Sequence, residues 1–295
     1  MLGDGLAMEG VATTHAGVLW LGDAASHDAS LVGGKVANLS RLASRFHVPP
    51  GFCLLANGDG PRALVPEGPL AAAYAELAGR GGGDEPVVAV RSSAVDEDGA
   101  AASFAGQHET YLGVRGYEAV AEAVERCWAS GRSERALEYR RLHGLPDPHG
   151  ELPVLVQQLV VADVSAVAFS VNPVTGNRAE VVINASFGLG ESIVGGTVTP
   201  DTWVVARDGL EIASRQVADK RRMTVSVPGG SREVDVPAAL RARASLDDPA
   251  IEAVARLAID LERLFRHPVD VECAWADGRL HLLQCRPVTT IHSKE

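Results

Sequence analysis

The stretch VDVECAWADGRLHLLQCRP, residues 269–287, contains the strongest fold signal in the sequence. Two apolar runs, 269–275 and 280–284, flank the dipeptide Asp277-Gly278, and this pattern is typical of a β-hairpin. Each run also carries polar groups that a strand must place in or beside a core. They are two acids, an amide and a guanidinium: Asp270, Glu272, Gln284 and Arg286.

The length of the turn decides how these four polar side chains are arranged. Side chains alternate along a strand, so the two acids share a face of their strand, and Gln284 and Arg286 share a face of theirs. A two-residue turn pairs Glu272 with Leu283 and sends Gln284 to the other side. A three-residue turn with its glycine in the left-handed conformation pairs Asp270 with Gln284 and brings all four together. Because a metal ion and phosphates could neutralise such a buried polar face, we predict the three-residue turn.

The rest of the chain alternates between helix and strand patterns. Residues 251–265 are predicted as an amphipathic helix, because Asp247-Asp248-Pro249 before them is a helix-start signal. In the C-terminal half, strands are predicted at 154–161, 165–170, 180–184 and 202–206. In the N-terminal half, strands are predicted at 18–21, 87–90 and 110–114. Helices are predicted from a start at 32–35 to Phe46, near 70–78, and at 117–128 and 134–142. We divide the chain into a flexible leader (1–12), an N-terminal lobe (13–150) and a C-terminal lobe (151–291), with the boundary in the Gly- and Pro-rich segment 144–150.

Composition excludes several classes of protein. A net charge of -11 over 295 residues argues against a nucleic-acid partner, because no basic stripe would neutralise a phosphate backbone. No apolar run reaches 18 residues and no secretory leader is present, so neither a membrane span nor secretion is expected. The four cysteines form no CxxC pair, and we interpret them as core thiols of a cytoplasmic protein.

Three further segments carry groups suited to binding an anion. Gly33-Gly34-Lys35, at a predicted helix start, would offer backbone amides and a mobile cation, although such pairs are often only solvated caps. It lacks the spacing and the following Ser or Thr of a P-loop, which excludes that fold. Arg91, at the end of an apolar strand, needs partners for five donors, and a phosphate in a cleft or a nearby acid would supply them. Residues 103–110 have the small and hydroxyl side chains of a phosphate-covering loop or of an ordinary surface turn.

Short motifs in a fixed order resemble the phosphoenolpyruvate synthase and pyruvate phosphate dikinase family. They are VGGKVANL (32–39), VPPGF (48–52), VRSSA (90–94), ASFAGQ (102–107), ETYL (109–112), NPVTG (172–176), GLGE (188–191), VTPD (198–201) and LQCRP (283–287). The resemblance covers residues 18–289. It implies an α+β fold of the ATP-grasp type, with two lobes, mixed and mostly antiparallel sheets, and a nucleotide between the lobes.

For the site, the resemblance implies a clamp for ATP and Mg²⁺. Three cations would contact the phosphates and act in catalysis: Lys35, Arg91 and Arg286. A covering loop and an adenine-contacting segment would bind the nucleotide: Gly106, Gln107, Thr110, Gln157, Gln158, Leu159 and Val160. The magnesium ion would be held by Glu272 and Gln284, with Asp270 alongside them near the ribose. Positioning and charge neutralisation are what phosphoryl transfer mainly requires.

The implied reaction moves the β-phosphoryl of ATP to a histidine and releases AMP and phosphate. That histidine belongs, in complete dikinases, to a swivelling domain, and only a short tail follows Thr289, so we expect a separate partner protein to carry it. Two alternatives remain: a stand-alone kinase or ligase acting on a small molecule, and a non-catalytic nucleotide-binding subunit.

The sequence departs from the family at Val36, Ala166, His108 and Cys273, where glycine, glycine, glutamine and tryptophan are usual. We expect a competent fold despite these changes.

Overall fold

The computed structural model describes residues 17–55, 67–94, 110–142 and 152–288. Five strands form the first sheet: Val18–Trp20 (β1), Gly51–Leu54 (β2), Val88–Ser92 (β3), Thr110–Val114 (β4) and Val154–Gln158 (β5). Their order is β1–β2–β5–β3–β4, and every neighbouring pair is antiparallel. The strand β5 therefore lies at the centre of a sheet that is otherwise built from the N-terminal half of the chain.

This position of β5 corrects the predicted boundary between the lobes. A division at residue 150 would separate β5 from the sheet to which it is hydrogen-bonded on both sides. The second sheet starts at Val164, so the division between the sheets falls after Gln158. The glycine and proline signals at 144–150 depend only on nearby residues, whereas membership of a sheet depends on distant partners.

Alternating side chains cover the two faces of the first sheet differently. Val154 and Val156 face a core formed with α2 (Glu67–Leu77) and α3 (Tyr117–Gly131), which α4 (Glu134–Leu142) follows in the chain. Leu155, between them, points to the opposite face and joins the core of the second sheet. The two sheets are thus connected through buried side chains, as the period-two pattern of a strand requires.

The second sheet has six strands, also antiparallel at each pairing: Val164–Phe169 (β6), Glu180–Phe187 (β7), Asp201–Ala206 (β8), Ile212–Gln216 (β9), Val269–Ala276 (β12) and Arg279–Pro287 (β13). Their order is β13–β12–β6–β7–β8–β9. The helix α7 (Asp248–Phe265) packs on this sheet and begins three residues before the predicted 251, within the start signal Asp247-Asp248-Pro249. Asp247 caps it by accepting the Ala250 N–H at 2.9 Å. Two short helices, α5 (Glu191–Val194) and α6 (Ala238–Arg241), lie in its connections.

The helix α1 (Ala29–Leu42) starts earlier than predicted and is kinked. Asp28 caps its first turn, and Gly33 interrupts it with φ of 78° and ψ of 165°. A Cβ at this glycine would lie 1.8 Å from the carbonyl oxygen of Ser93, so only glycine allows α1 to approach the end of β3. Phe46, predicted to extend the helix, lies beyond its end and still packs against the core.

The hairpin of β12 and β13 corrects the predicted turn. Ala276 pairs with Arg279 across a two-residue turn in which Asp277 and Gly278 have φ of 50° and 69°. The three-residue turn was therefore wrong, because an Asp-Gly pair with positive φ at both positions favours the two-residue type. A bulge after Glu272 then adds one residue on β13 and restores the alignment of the polar side chains.

A separate two-stranded hairpin completes the fold. It consists of Arg222–Val227 (β10) and Gly230–Asp235 (β11). The observed architecture confirms the α+β class with mostly antiparallel sheets: the described strands pair antiparallel in both large sheets and in this hairpin. All four cysteines are buried thiols, as predicted. None of the helices in the described ranges combines the length and the apolar character needed to cross a membrane.

Candidate functional site

A cleft of about 580 Å³ lies between the two sheets. It brings together most of the residues predicted from the sequence: Lys35, Arg91, Thr110, Gln157, Gln158, Leu159, Val160, Glu272, Gln284 and Arg286. Asp270 is not part of its lining. Gly106 and Gln107 fall outside the described residues, as does His108. Side chains that are more than 200 residues apart in the sequence therefore face one space.

The first sheet supplies two cations to the cleft. Lys35 on α1 is 6% exposed, and its Nζ donates to the carbonyl oxygen of Ser92 at 3.2 Å. Arg91 on β3 has a buried Nε that finds no hydrogen-bond partner among the described residues. A buried guanidinium nitrogen without a partner is costly, which favours an anionic ligand in contact with this side chain.

The helix start at Gly33-Gly34-Lys35 differs from the prediction. The N–H of Gly34 donates to the carbonyl oxygen of Ala94 at 3.2 Å. The N–H of Val36 donates to the Ser93 Oγ, also at 3.2 Å. Because the end of β3 occupies these two amides, they are not open to an anion, and the contribution of this segment to the cleft is the Lys35 side chain.

The β12–β13 hairpin supplies the acidic end of the cleft. The register places Glu272 directly opposite Gln284 and Asp270 directly opposite Arg286, so all four side chains share one face. The Arg286 Nε donates to the Asp270 Oδ2 at 2.8 Å, and a terminal nitrogen of the guanidinium lies 2.8 Å from the same oxygen. Two nitrogens against one carboxylate oxygen orient the guanidinium.

Asp270 is held in an unusual environment behind the cleft. Its side chain is 7% exposed, and its Oδ1 has no hydrogen-bond partner among the described residues. Burial raises the pKa of this carboxyl above its ordinary value; the charge and hydrogen bonds of Arg286 oppose the rise, and Glu272 adds to it. Arg286 thus favours the ionised form of this buried carboxyl.

An apolar patch lies in the same cleft. Ala89 and Leu112 of the first sheet form a small buried cluster with Leu189, which comes from the second half of the chain. Leu159 and Ala162, in the connection from β5 to β6, pack against this cluster. The cleft therefore combines charged groups with an apolar surface that a flat ring could contact.

The segment predicted to contact adenine is already engaged in several hydrogen bonds. The Gln157 amide donates to the Pro49 carbonyl oxygen at 3.1 Å, and the Gln158 amide donates to that of Gly81 at 3.4 Å. The backbone N–H of Gln158 and of Leu159 bond to Pro50 and Val87. Hydrogen bonds from this segment to a ligand therefore fall to the backbone beyond the Leu159 N–H.

The segment 188–191 forms a wall of the cleft that was not predicted from the sequence. Leu189 and Glu191 line the cleft, and the buried Ser165, also in the lining, donates to the Gly188 carbonyl oxygen at 2.8 Å. The motif GLGE was recognised in the sequence but no role was assigned to it. Its two glycines and the acid after them were the available signal.

Comparison with known proteins agrees with these features. The family described as pyruvate phosphate dikinase, AMP/ATP-binding domain, matches residues 63–295. Phosphoenolpyruvate synthase of Pyrococcus furiosus is 40% identical over 248 residues, which are 81% of this chain and 30% of that protein. Rifampicin phosphotransferase of Streptomyces sviceus is 34% identical over 303 residues, 89% of this chain and 34% of that protein.

The likeness to these relatives covers only part of their length. The chain spans 18% to 42% of the curated relatives that it matches. Among solved structures, D-alanine–D-alanine ligase from Bacillus anthracis in complex with ATP gives a TM-score of 0.37 at 8% identity, covering 90% of this chain and 57% of that one.

Proposed function

The chain belongs to the pyruvate phosphate dikinase AMP/ATP-binding domain family, and on this premise we propose that its cleft binds ATP with Mg²⁺ and starts a phosphoryl transfer. The module, of the ATP-grasp type, would pass the β-phosphoryl of ATP to a histidine on a phosphohistidine domain supplied by a partner. AMP and phosphate would be released. The acceptor is part of the proposal, because the chain spans less than half of its relatives.

One observation carries this proposal: charged side chains from both sheets converge on one cleft. The three cations Lys35, Arg91 and Arg286 line it together with the acids Glu191 and Glu272, and Asp270 lies behind Arg286. Cations from both sheets beside paired acidic and amide oxygens suit a polyphosphate with its metal ion. The buried Arg91 Nε has no hydrogen-bond partner among the described residues, and a triphosphate with its metal ion would supply one.

The proposed roles follow the position of each group. Lys35 and Arg91 would bind the terminal phosphates from the first sheet, and Arg286 would bind them from the second. Asp270 would orient Arg286 through the ion pair at its Oδ2 instead of contacting the ribose. Thr110, with Gly106 and Gln107 in the loop before it, would cover the phosphates.

The base would lie on the apolar patch. Leu189, Ala89 and Leu112 form that patch, and the segment from Gln157 to Val160 borders it. Because the first amides of the segment are already bonded, adenine would be recognised by the backbone near Val160 and by contact with the apolar side chains.

Glu272 and Gln284 fit a magnesium ion. They are directly opposite each other on one face, and their carboxylate and amide oxygens belong to the donor class that Mg²⁺ takes alongside substrate phosphates. Within the described ranges no group of three or more His, Cys, Asp or Glu side chains could hold a metal by itself. When bound, Mg²⁺ neutralises phosphate charge and aligns the phosphates for transfer.

The proposed transfer takes place in two steps. The histidine nitrogen attacks the β-phosphorus, and the bond from that phosphorus to the oxygen of the α-phosphate breaks, so AMP leaves. Water then cleaves the γ-phosphoryl group as phosphate and leaves the β-phosphoryl on the histidine. The cations of the cleft stabilise the charge that moves to AMP.

The test measures which products ATP gives and with which acceptor. The pure protein is incubated with Mg-ATP alone and with a phosphohistidine domain taken from a relative, and AMP, ADP and phosphate are quantified. AMP and phosphate in equal amounts, formed only with the added domain, support the proposal. ADP formed with a small molecule alone, or binding without turnover under every condition, would contradict it.

Variants identify the residues that carry the reaction. Lys35→Ala and Glu272→Gln are expected to abolish turnover while the far-UV circular dichroism stays unchanged. The matched control is Arg126→Gln, which removes a cation that lies over the Tyr111 ring and outside the cleft. If either cleft variant kept full activity, the substituted residue would have no role in the proposed mechanism.

A further inference from the structure

The β10–β11 hairpin contacts two elements that line the nucleotide cleft, the segment 188–191 and the strand β4. Its base is in the second half of the molecule, where Lys220 precedes β10. Its middle contacts the segment 188–191, which forms one wall of the cleft and is called the wall segment below. Its tip reaches β4 at the edge of the first sheet.

The base of the hairpin is fixed by a fully buried ion pair. Lys220 and Asp201 are both 0% exposed, and the Lys220 Nζ donates to the Asp201 Oδ1 at 2.6 Å. The Asp201 carboxylate also accepts the N–H of Ala218 and both the N–H and the hydroxyl of Ser245. Buried charges with all partners satisfied hold one geometry, so the chain enters the hairpin from a rigid point.

The middle of the hairpin is joined to the wall segment by backbone contacts. The Leu189 N–H donates to the Thr224 carbonyl oxygen at 2.8 Å. A Cβ at Gly188 would lie 2.2 Å from that same oxygen, so the approach depends on glycine. Nearby, the Ser231 hydroxyl donates to the Glu191 carboxylate at 2.8 Å. A shift of the hairpin would therefore move two residues that line the cleft.

The tip of the hairpin meets the first sheet at a contact without room for a side chain. Gly113 on β4 has φ of 73°, and a Cβ added there would lie 2.0 Å from the carbonyl oxygen of Gly230. A distance this short cannot be relieved by a side-chain movement, because the atom it meets belongs to the backbone. Any residue other than glycine at 113 would push the tip away from β4.

From these contacts we propose that Gly113 is a positioning residue for nucleotide binding, which acts through the β10–β11 hairpin on the wall segment. The hairpin links the edge of the first sheet to Leu189 and Glu191, so the spacing of the two sheets and the shape of the wall are set together. The proposal rests on the proposed function only in taking ATP as the ligand.

The test compares Gly113→Ala with a matched control, Gly116→Ala. Both glycines have positive φ, 73° and 86°, which alanine disfavours at either position; Gly113 lies within β4 and Gly116 two residues after its end. Of the two, only at Gly113 would an added Cβ clash with another atom, since nothing lies within 4 Å of a Cβ at Gly116. The difference between the two variants therefore reports the contact with Gly230.

Two measurements are made on the full chain. Deuterium exchange of the Leu189 amide reports the bond to Thr224 without any nucleotide, and equilibrium binding of Mg-ATP reports the cleft. In Gly113→Ala we expect the exchange rate and the dissociation constant each to rise by about tenfold relative to Gly116→Ala. Equal exchange in the two variants overturns the proposal, and so does faster exchange with unchanged ATP affinity.

A milder variant keeps the proposal testable if Gly113→Ala does not fold. Ser231→Ala removes the exposed hydrogen bond to Glu191, and surface changes of this kind leave the fold intact. A two- to threefold weaker affinity for Mg-ATP is expected, roughly what loss of one hydrogen bond produces, and no change would count against the proposal. If the unaltered protein binds no ATP, the proposed function fails, whereas the exchange at Leu189 still decides whether the hairpin holds the wall.

Discussion

Two buried ion pairs in the second half of the molecule differ in how completely they are satisfied. Lys220 and Asp201 are fully buried, and both carboxylate oxygens of the acid are bonded to protein donors. Asp270 is nearly as buried, yet its Oδ1 has no partner in the described ranges, and Arg286 remains one third exposed on the cleft side.

The Lys220–Asp201 pair is therefore structural, whereas the Asp270–Arg286 pair keeps polar atoms that could respond to a ligand. Saturation of every donor and acceptor stabilises one geometry and leaves nothing to bind with. An incompletely satisfied pair costs free energy in the empty protein, which a bound anion or metal ion would recover. Substitutions that break each pair should therefore have different consequences: loss of stability in the first case and loss of activity in the second.

The largest effect is expected for Asp201→Ala. The change leaves the Lys220 ammonium buried without a counter-charge and removes the acceptor for three other donors, so the free energy of unfolding should fall by about 3–5 kcal/mol. Denaturant unfolding measures it. The control is Asp219→Ala, which breaks the exposed pair with Arg221 and should leave the midpoint unchanged. Equal midpoints for both variants would show that the buried pair is not a structural element.

Asp270→Asn should act on the reaction and hardly on the fold. The amide keeps the shape but not the charge that orients Arg286, and kcat/KM for ATP should fall by about 10²-fold, a size typical of a misplaced binding group. Stability should stay the same or rise, because a buried carboxylate is removed. An unfolding midpoint as low as that of Asp201→Ala would mean that this pair, too, is structural.

A smaller loss is expected for Arg286→Lys. The ammonium keeps the positive charge but cannot place two nitrogens against the Asp270 Oδ2 as the guanidinium does, so its position becomes variable. We expect kcat/KM to decrease by about tenfold and the KM for ATP to rise, which steady-state kinetics would separate. Activity equal to that of the unaltered protein would show that charge alone is needed at this position.

The smallest effect concerns pH. The pKa of Asp270 is raised in the folded protein, so between the ordinary value of 3.8 and the raised value the folded state binds more protons than the unfolded state. Stability therefore falls as pH rises through that window and is level above it. The difference in unfolding free energy between Asp270→Asn and the unaltered protein should follow this curve. A difference that does not vary with pH would contradict the raised pKa.

Residues close in sequence predicted much of the fold correctly. The helix α7 begins where Asp247 and Pro249 indicate, because a cap bonds to amides only two or three residues away. The hairpin at 269–287 was predicted from its apolar runs and its Asp-Gly dipeptide. The predicted turn was wrong because an argument about buried charge was preferred to the local chemistry of that dipeptide.

Most of the candidate cleft was also identifiable, since the resemblance pointed to Lys35, Arg91 and the polar residues of the hairpin. What the sequence did not indicate was the wall at 188–191, the occupied amides after Gly33 and the pairing of Asp270 with Arg286. Each of these features depends on a contact between segments that are at least 16 residues apart in the sequence. No local sequence pattern indicates such a contact.

The sequence by itself determined the types of the elements, the caps, the two-residue turn and the set of charged groups, because these follow from neighbours within a few positions. Only the tertiary structure decided that β5 belongs to the first sheet, that a bulge aligns Glu272 with Gln284, and that Gly113 lies against Gly230. The physical reason is that sheet order, bulge register and backbone approach are set by packing between distant parts of the chain, which must all be satisfied together.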